Sequence, residues 1–480
     1  MKVYLISPPA PGGIKMIREG RCMQKEGVWT TIWPPISLAL SASVLVQEGF
    51  EVFANDCNTE EMLVEDFRNK LKEIQPDLLV INSTTPSIEF DLSMSKEAKS
   101  VLPQIKTAVF GIHVTTLPED SFKMEPDLDY IIRGEPEMGL LELAQALRDN
   151  KSFENILGIA YRAGDKIQIT PDRPYLDPND LPFPAWNLIN HNLYQLPFSG
   201  KPFLLVSSGR GCPYDCTFCV SKAYYGKKVR MRDPLKVVDE IAWAQKEFKV
   251  NDFFFWSESF TLMKKQVMAI CDEILKRNLR IRWVCNSRVD NVSEELLRKM
   301  RESGCWLISY GIESGNQEIL DRSKKGTTLD QARDAVAISR KFGFQLSGHF
   351  LFGLPGETVE TMKKSIEFAR ELDLDFAQFY CATPWPGTGL YEKALKNGWL
   401  TTTEWSKFEQ SIAIMDLDTV TAEEVMEWRR KANKAFYLRP GKMVRTGINV
   451  LGDADLGYLF STAKKYFGWT TARDKDKQDS

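Results

Sequence analysis

The chain has 480 residues, of which 43% are hydrophobic and 26% charged, and its formal net charge is −3. This length predicts two or three domains, and the balanced charge lacks the basic excess of proteins that bind nucleic acid. No run of about 18 apolar residues occurs, so we predict no transmembrane segment. The nine cysteines are an odd number, and the first residues read as a strand rather than a secretion signal, which predicts a reducing, cytoplasmic setting.

Apolar and amphipathic segments alternate over residues 1–150. The apolar segments KVYLIS, FEVFAND, DLLVINS, KTAVFGI and LDYIIRG are predicted strands, and each is followed by a predicted helix. Five β-α units in succession predict a parallel, doubly wound sheet of the Rossmann or flavodoxin type that ends near Asn150. The carboxyl edge of such a sheet forms a crevice for a flat or nucleotide-like ligand. No glycine-x-glycine-x-x-glycine run follows the first strand, which argues against a dinucleotide.

The composition changes after Asn150. ILGIAYRAGDKIQIT predicts a hairpin, and the proline-rich PDRPYLDPNDLPFPAW predicts an extended connector, so residues 151–200 are assigned to a linker. Six further β-α units over residues 201–400 predict a partial (β/α)6 barrel with its site at the carboxyl ends of the strands. Residues 401–480 are predicted to form a helical cap with a disordered tail. VTAEEVMEWRRKANKAFYLRP is its first amphipathic helix, with binding to a membrane surface as an alternative to packing.

Three cysteines, Cys212, Cys216 and Cys219, lie within eight residues in the loop after the first strand of the barrel. A structural zinc site takes four protein ligands, usually in two pairs, and no second cysteine or histidine pair is present. Cubane iron–sulfur clusters are held by cysteine thiolates, usually four of them. Three thiolates therefore predict a cluster with one iron open to a ligand that is not protein.

The spacing Cys-x3-Cys-x2-Cys, with Phe218 directly before the last cysteine, resembles the radical S-adenosylmethionine (SAM) superfamily. The resemblance implies a 4Fe-4S cluster whose open iron binds the amino and carboxylate groups of SAM. It also implies a reductant such as flavodoxin or ferredoxin. An electron from the cluster would cleave SAM to methionine and a 5'-deoxyadenosyl radical, which abstracts hydrogen from an unactivated carbon.

Loops after the later barrel strands resemble the SAM-binding loops of this superfamily. FFWSESF places Ser257 and Glu258 where the SAM amino group is held, although the usual glycine-glycine-glutamate form is absent and a solvated loop acid is the alternative. Gly311 would let the backbone approach the cofactor. The loops CNSRVD, YGIESGNQEIL and HFLFGLPGET supply most of the other expected SAM contacts, which are Phe218, Asn286, Arg288, Gly311, Glu313, Ser314, Gly353, Leu354 and Pro355.

The first domain resembles the cobalamin-binding domain that precedes the barrel in many radical SAM proteins, including methyltransferases and the anaerobic magnesium-protoporphyrin ester cyclase group. This likeness covers most of residues 1–400. Cobalamin domains of the methionine synthase type supply a histidine to cobalt through Asp-x-His-x-x-Gly, whereas Asn58 occupies the histidine position here, so no histidine ligand is expected from this loop. The cobalamin contacts that the resemblance implies are Asn58, Ser83, Thr84, Thr85, Gly111, His113 and Glu135. For His113, the alternative is a hydrogen-bonded histidine on the surface.

The segment IKMIREGRCMQKEGVWTTIWPP is too long for an ordinary β-α turn, and long connections of this kind are usually functional. Arg18, Arg21, Trp29 and Trp33 are candidates to cover a corrin or to line a substrate channel. A structured surface flap is the alternative.

Together these features predict an oxygen-sensitive, cobalamin-binding radical SAM enzyme, with methyl transfer to an unactivated carbon as the leading reaction. One SAM would methylate cobalamin and a second would generate the radical. Oxidative cyclisation, rearrangement or carbon-carbon bond formation is the alternative reaction, and a cobalamin- or redox-sensing protein is the alternative class. The expected substrate is a small molecule, lipid, tetrapyrrole or peptide. Cys381, at the end of the sixth barrel strand, is a candidate hydrogen donor, with a buried inert thiol as the alternative.

Overall fold

The computed structural model describes residues 1–19, 23, 32–196 and 200–439, which form two α/β domains. The strands are β1 (Lys2–Ser7), β2 (Glu51–Asp56), β3 (Leu78–Asn82), β4 (Lys106–Phe110), β5 (Tyr130–Ile132), β6 (Ile159–Ala163), β7 (Lys166–Ile169), β8 (Phe203–Ser207), β9 (Gly209–Arg210), β10 (Arg230–Met231), β11 (Asp252–Trp256), β12 (Arg282–Ser287), β13 (Cys305–Glu313), β14 (Gln345–Phe352) and β15 (Phe376–Cys381). The helices are α1 (Ile36–Gln47), α2 (Val64–Ile74), α3 (Ile88–Val101), α4 (Ile112–Thr116), α5 (Pro118–Met124), α6 (Pro136–Asp149), α7 (Ser221–Tyr225), α8 (Pro234–Phe248), α9 (Lys264–Lys276), α10 (Glu294–Glu302), α11 (Gln317–Arg322), α12 (Leu329–Lys341), α13 (Val359–Glu371), α14 (Gly389–Asn397) and α15 (Ala422–Tyr437).

The first sheet has the strand order β2-β1-β3-β4-β5-β6-β7. Strands β1 to β5 are parallel, as predicted, and β3 is buried along its whole length. The predicted hairpin is β6–β7, but it is not separate from the sheet, because β6 pairs antiparallel with β5. The sheet therefore continues to Ile169 instead of ending near Asn150. The order reverses between β1 and β3, where ligands bind in doubly wound sheets.

One short helix departs from the predicted strand pattern. KTAVFGI was expected to be strand throughout, but β4 ends at Phe110 and Ile112 begins α4. Gly111 makes the turn with a φ of 141°, and a Cβ there would lie 2.3 Å from the Ser83 carbonyl oxygen. The backbone can thus bend only because this residue has no side chain.

The second sheet contains six parallel strands in the order β15-β14-β13-β12-β11-β8, which agrees with a partial barrel. Helix α8 begins at Pro234, where the Asp233 side chain accepts a hydrogen bond from the Leu235 amide. The predicted C-terminal helix is α15, which packs against β15 and α13 and buries Phe436 and Tyr437. The further helices and tail predicted beyond residue 440, together with Arg21 and Trp29, lie outside the described residues.

The connections join the two domains. Tyr194, in the linker, is buried and donates a 2.7 Å hydrogen bond to Asp56 at the end of β2. Trp33 packs edge-on against Phe254 and Trp256 of β11, with ring centroids 5.4 and 5.1 Å apart. These contacts tie the linker to the first domain and the segment before α1 to the second domain. Among the described helices, none combines the length and the apolar character needed to cross a membrane.

Candidate active site

The cysteine loop follows β8 and its short extension β9. Gly211 has a φ of 91°, and a Cβ there would lie 2.2 Å from the Lys228 carbonyl oxygen. The Cys212 amide donates to the Gly226 carbonyl at 3.1 Å, and the Cys219 amide donates to the Cys216 carbonyl at 3.1 Å. Tight backbone contacts therefore hold all three thiols in one compact loop at the carboxyl end of the first barrel strand.

The motif cysteines differ from the other cysteines in exposure. Of the eight cysteines described, these three are partly exposed, and the others are buried; the buried ones are Cys57, Cys271, Cys285, Cys305 and Cys381. In the described ranges, no three histidine, cysteine, aspartate or glutamate side chains converge on a point that could hold a single metal ion. A cubane binds each thiolate to a different iron, so its ligands need not converge in that way. Accessible thiols in one loop fit a cluster.

Cationic side chains surround the loop. Burial raises the pKa of the Cys216 thiol to about 11, while the nearby Lys325 and Arg288 cations lower it. Lys325 Nζ lies 2.7 Å from Glu313 Oε1, and the Arg288 guanidinium carbon stands 3.5 Å from the centre of the Tyr214 ring. Glu313 and Arg288, both predicted SAM contacts, are thus brought next to the cysteines. Each cation is paired with a carboxylate, because Arg288 also binds Asp290 at 2.8 Å, so two ion pairs lie next to the thiols.

The loop after β11 fits a polar ligand. Ser257, Glu258 and Ser259 are buried, so the alternative of a solvated acid at Glu258 is wrong. The Ser257 and Ser259 hydroxyls have no hydrogen-bond partner within the part of the chain that the structure describes. Buried hydroxyls without partners cost stability, which a bound ammonium group would offset.

The other predicted SAM residues outside the loop after β14 differ in their surroundings. Asn286 near the end of β12 and Phe218 in the cysteine loop are both half-buried. A Cβ on Gly311 would meet Glu313 Oε1 at 2.7 Å, whereas the Ser314 hydroxyl lies 3.2 Å from that of Ser365 in α13. Ser314 is therefore tied to a helix.

The loop after β14 is held by a glutamate that was not singled out from the sequence. Buried Glu357 accepts hydrogen bonds from the Gly353 and Leu354 amides at 2.6 and 3.2 Å. Burial raises the pKa of Glu357 to about 8. Pro355 lies in the same turn, so this one carboxyl fixes the predicted adenine loop.

A pocket lies between the domains, at the switch point of the first sheet. Ser83, Thr84 and Gly111, three of the predicted cobalamin contacts, line it, and Arg18 lies on the same wall and pairs with buried Asp91 at 2.8 Å. The Asn82 side-chain nitrogen and the hydroxyls of Thr84 and Thr85 are buried without a hydrogen-bond partner among the described residues. These groups fit a polar ligand such as the nucleotide tail of cobalamin.

Two predicted cobalamin contacts are engaged elsewhere. The Asn58 side chain accepts from the Met16 amide at 3.0 Å and donates to the Met16 carbonyl at 3.2 Å, so it anchors the segment after β1. Glu135 pairs with Arg210 and Arg230 of the second domain. Both side chains are bonded within the protein, and neither is among the residues that line the cavity.

His113 and Cys381 are both buried. His113 packs edge-on against Trp405, with ring centroids 4.6 Å apart, so the surface alternative is wrong. Burial lowers its pKa to about 4, and neither ring nitrogen has a hydrogen-bond partner among the described residues. Cys381 Sγ lies 3.7 Å from Met426 Sδ of α15, and burial raises its pKa to about 12. Cys381 is thus buried beneath α15, as the alternative of a buried thiol expected.

Several cavity residues were not predicted from the sequence. Glu19 accepts hydrogen bonds from the Ser37 amide and hydroxyl at 2.9 and 3.1 Å, and burial raises its pKa to about 8. Helix α7 supplies the opposite wall with Ser221, Tyr224 and Tyr225. Helix α7 could have been singled out from the sequence, because it begins two residues after Cys219. The contact between Glu19 and Ser37 could not, because these residues lie 18 positions apart in the chain.

Comparison with known proteins agrees with this geometry. The Radical SAM superfamily pattern matches residues 206–369, and the B12 binding domain pattern matches residues 27–148. The chain is 34% identical to the uncharacterized methyltransferase PH0819 of Pyrococcus horikoshii, over 93% of this chain and 94% of that protein. It is 31% identical to the anaerobic magnesium-protoporphyrin IX monomethyl ester cyclase of Rubrivivax gelatinosus, over 85% of this chain and 75% of that protein.

The fold is also similar to a solved structure of the radical SAM methyltransferase TsrM from Kitasatospora setae with cobalamin and a 4Fe-4S cluster bound. The TM-score is 0.66 at 19% identity, covering 84% of this chain and 76% of that one. Fold and site together define a two-domain enzyme with a cysteine-bearing partial barrel and a doubly wound cofactor domain. The chain belongs to the cobalamin-binding radical SAM family, whose cofactors are a 4Fe-4S cluster, SAM and cobalamin.

Proposed function

We propose that this enzyme transfers a methyl group to an unactivated carbon of its substrate. The observation that supports this most directly is the shared cavity, where strand ends of the first domain face α7, the continuation of the cysteine loop. One ligand in that cavity would contact both domains. When bound, the cluster supplies the electron that cleaves SAM, and cobalamin carries the methyl group.

The residues of the chain divide this work. Cys212, Cys216 and Cys219 hold the cluster, and the hydroxyls after β11 bind the SAM amino group. Arg288 and Lys325 lower the pKa of the Cys216 thiol, and Glu357 holds the adenine turn. The buried polar edge of the first domain binds cobalamin and excludes water from the space between the sheets.

Oxidative cyclisation or rearrangement with the same cofactors is the second candidate, favoured by the 31% identity to the magnesium-protoporphyrin cyclase. The substrate is a small molecule, lipid, tetrapyrrole or peptide, and the reductant is a flavodoxin or ferredoxin. The three motif thiols must stay reduced to ligate iron, which supports a cytoplasmic setting.

The test is anaerobic incubation of the reconstituted protein with SAM labelled in its methyl group, a reductant and an extract of the source cells, followed by mass spectrometry. Methyl transfer predicts 5'-deoxyadenosine together with the label in one extract compound. Unlabelled product with 5'-deoxyadenosine would favour cyclisation, and no SAM cleavage at all would favour a sensor. The triple alanine variant of the three motif cysteines is the control that should give neither signal.

A further inference from the structure

A buried network of four charges joins the two domains beside the cysteine loop. Glu135 and Glu137 come from the start of α6 in the first domain, and Arg210 and Arg230 come from β9 and β10 in the second. Arg210 donates to Glu137 at 2.5 and 3.2 Å and to Glu135 at 3.2 Å. Arg230 donates to both oxygens of Glu135 at 2.9 Å.

The network is balanced in charge and buried. Two carboxylates face two guanidinium groups, and the side chains of Arg210 and Glu137 are 7% and 0% exposed. A buried charge that loses its partner is strongly destabilising, because its desolvation is no longer offset. The four groups therefore specify one relative placement of β9, β10 and α6.

Arg210 connects this network to both cofactor regions. It precedes Cys212 by two residues, and its partner strand β10 pairs residue for residue with β9. Its guanidinium carbon also lies 5.7 Å from the centre of the Tyr225 ring, and Tyr225 lines the interdomain cavity. A shift of Arg210 would move the cysteine loop and the cavity wall together.

We propose that Arg210 is a positioning residue that sets the cysteine loop and Tyr225 at a fixed distance from the first domain, using Glu137 as its anchor. It contacts no reacting atom in this role. The inference rests on the proposed function for its catalytic consequence, because methyl transfer from SAM to cobalt requires the two cofactor regions to be in register.

The test compares Glu137→Gln with a matched control, Glu240→Gln. Glu240 forms an equally buried pair with Arg232 at 2.6 Å, but this pair lies wholly within the second domain. Each holoprotein, loaded with cluster and cobalamin, is measured for iron content, 5'-deoxyadenosine formation, methyl transfer from labelled SAM to cobalt, and amide hydrogen exchange. Arg210→Lys, which keeps the charge but not the forked donors, serves as the conservative variant.

Glu137→Gln is expected to keep its iron and to form 5'-deoxyadenosine within about twofold of the unmodified protein. Amide exchange in β9, β10 and the start of α6 should rise on the order of tenfold. Methyl transfer to cobalt should fall about tenfold, since small misplacements of reacting groups have effects of at least this size. The amide exchange and methyl transfer of Arg210→Lys should lie between those of the unmodified protein and those of Glu137→Gln. Glu240→Gln should leave methyl transfer unchanged.

Unchanged exchange and unchanged methyl transfer in Glu137→Gln would overturn the proposal. The same losses in Glu240→Gln would also overturn it, since they would reflect general destabilisation. Should Glu137→Gln fail to fold, Arg210→Lys decides by the same two measurements. Absence of methyl transfer in the unmodified protein would count against the proposed function instead, and the exchange of β9 and β10 would still decide the role of Arg210.

Discussion

Replacing His113 by phenylalanine should make the protein less sensitive to mild acid. His113 is buried against Trp405, and burial lowers its pKa from 6.5 to about 4, partly opposed by Asp120. A histidine whose pKa is lower in the folded state stabilises the fold above pH 6.5, and this contribution is lost as the pH falls towards 4. Between pH 7.5 and pH 5 the loss amounts to about 2 kcal/mol, obtained by integrating the difference in proton binding between these pKa values.

The assay is thermal unfolding at both pH values for the unmodified protein and His113→Phe. A change of about 2 kcal/mol corresponds to roughly 4 to 8 °C in melting temperature for a unit the size of one domain. On acidification, the melting temperature of His113→Phe should therefore fall less than that of the unmodified protein, by this amount. Glu19 and Glu357 have raised pKa values and contribute in the opposite direction, but they are common to both proteins and cancel in the comparison. Partly buried His191, replaced by glutamine, is the control that should change the pH dependence less.

Equal acid sensitivity of the unmodified protein and His113→Phe would refute the reasoning, since it would mean that the imidazole can take up a proton in the folded state. The same residue can be examined by spin resonance of the cobalt(II) form. A ring packed on Trp405 should give no axial nitrogen splitting, and splitting that vanishes in His113→Phe would show that His113 reaches the cobalt.

Three further predictions concern the cysteine loop and its surroundings. Anaerobically reconstituted protein should carry about four irons, lost in the triple alanine variant of Cys212, Cys216 and Cys219 but kept in Cys381→Ala; stoichiometric zinc would contradict this. Gly211→Ala should lose iron and unfold at a lower temperature, because its Cβ would meet a carbonyl oxygen at 2.2 Å. The control is Gly164→Ala, where φ is 61° and no neighbour lies within 4 Å, and this change should cost only about 1 to 2 kcal/mol of stability. Equal effects of the two substitutions would argue against the clash. At pH 7, below the Glu357 pKa of about 8, this side chain is mostly protonated, so Glu357→Gln should keep SAM affinity within about threefold. Glu357→Ala leaves the Gly353 and Leu354 amides without a partner and should weaken SAM binding at least about tenfold. Equal affinities of the two variants would show that the adenine turn does not need this side chain.

The strands and long helices could be predicted because local sequence determines them. The apolar run of β3 is buried throughout, and Asp233 with Pro234 marks the start of α8 in the sequence itself. Helix α4 was missed because Ile112 and Val114 continue an apolar run, and only the approach of Gly111 to Ser83 shows that the strand must end. The glycine before the helix is visible in the sequence, but its contact is not.

The cofactor-binding motifs were visible for the same reason, since cysteine spacing and strand-end loops are local. The pairings of charged residues are not local. Glu135 was assigned to cobalamin because it follows a strand, yet it binds Arg210, 75 residues away, and Arg230, 95 residues away. Asn58 was assigned by its place in a motif, whereas a segment 42 residues earlier occupies its amide. Several polar groups could bind one such side chain, and only the folded structure decides which of them does.

The β6–β7 hairpin determines where the protein can be divided. A fragment ending at Asn150 would contain every strand of the parallel sheet, yet it would leave β5, three buried residues, as an unpaired apolar edge. Such edges recruit other chains and aggregate. With the hairpin present, the outermost strand is β7, which begins with Lys166 and is largely exposed, a poor template for further pairing. A separately expressed cobalamin domain should therefore extend through Ile169 if it is to remain monomeric.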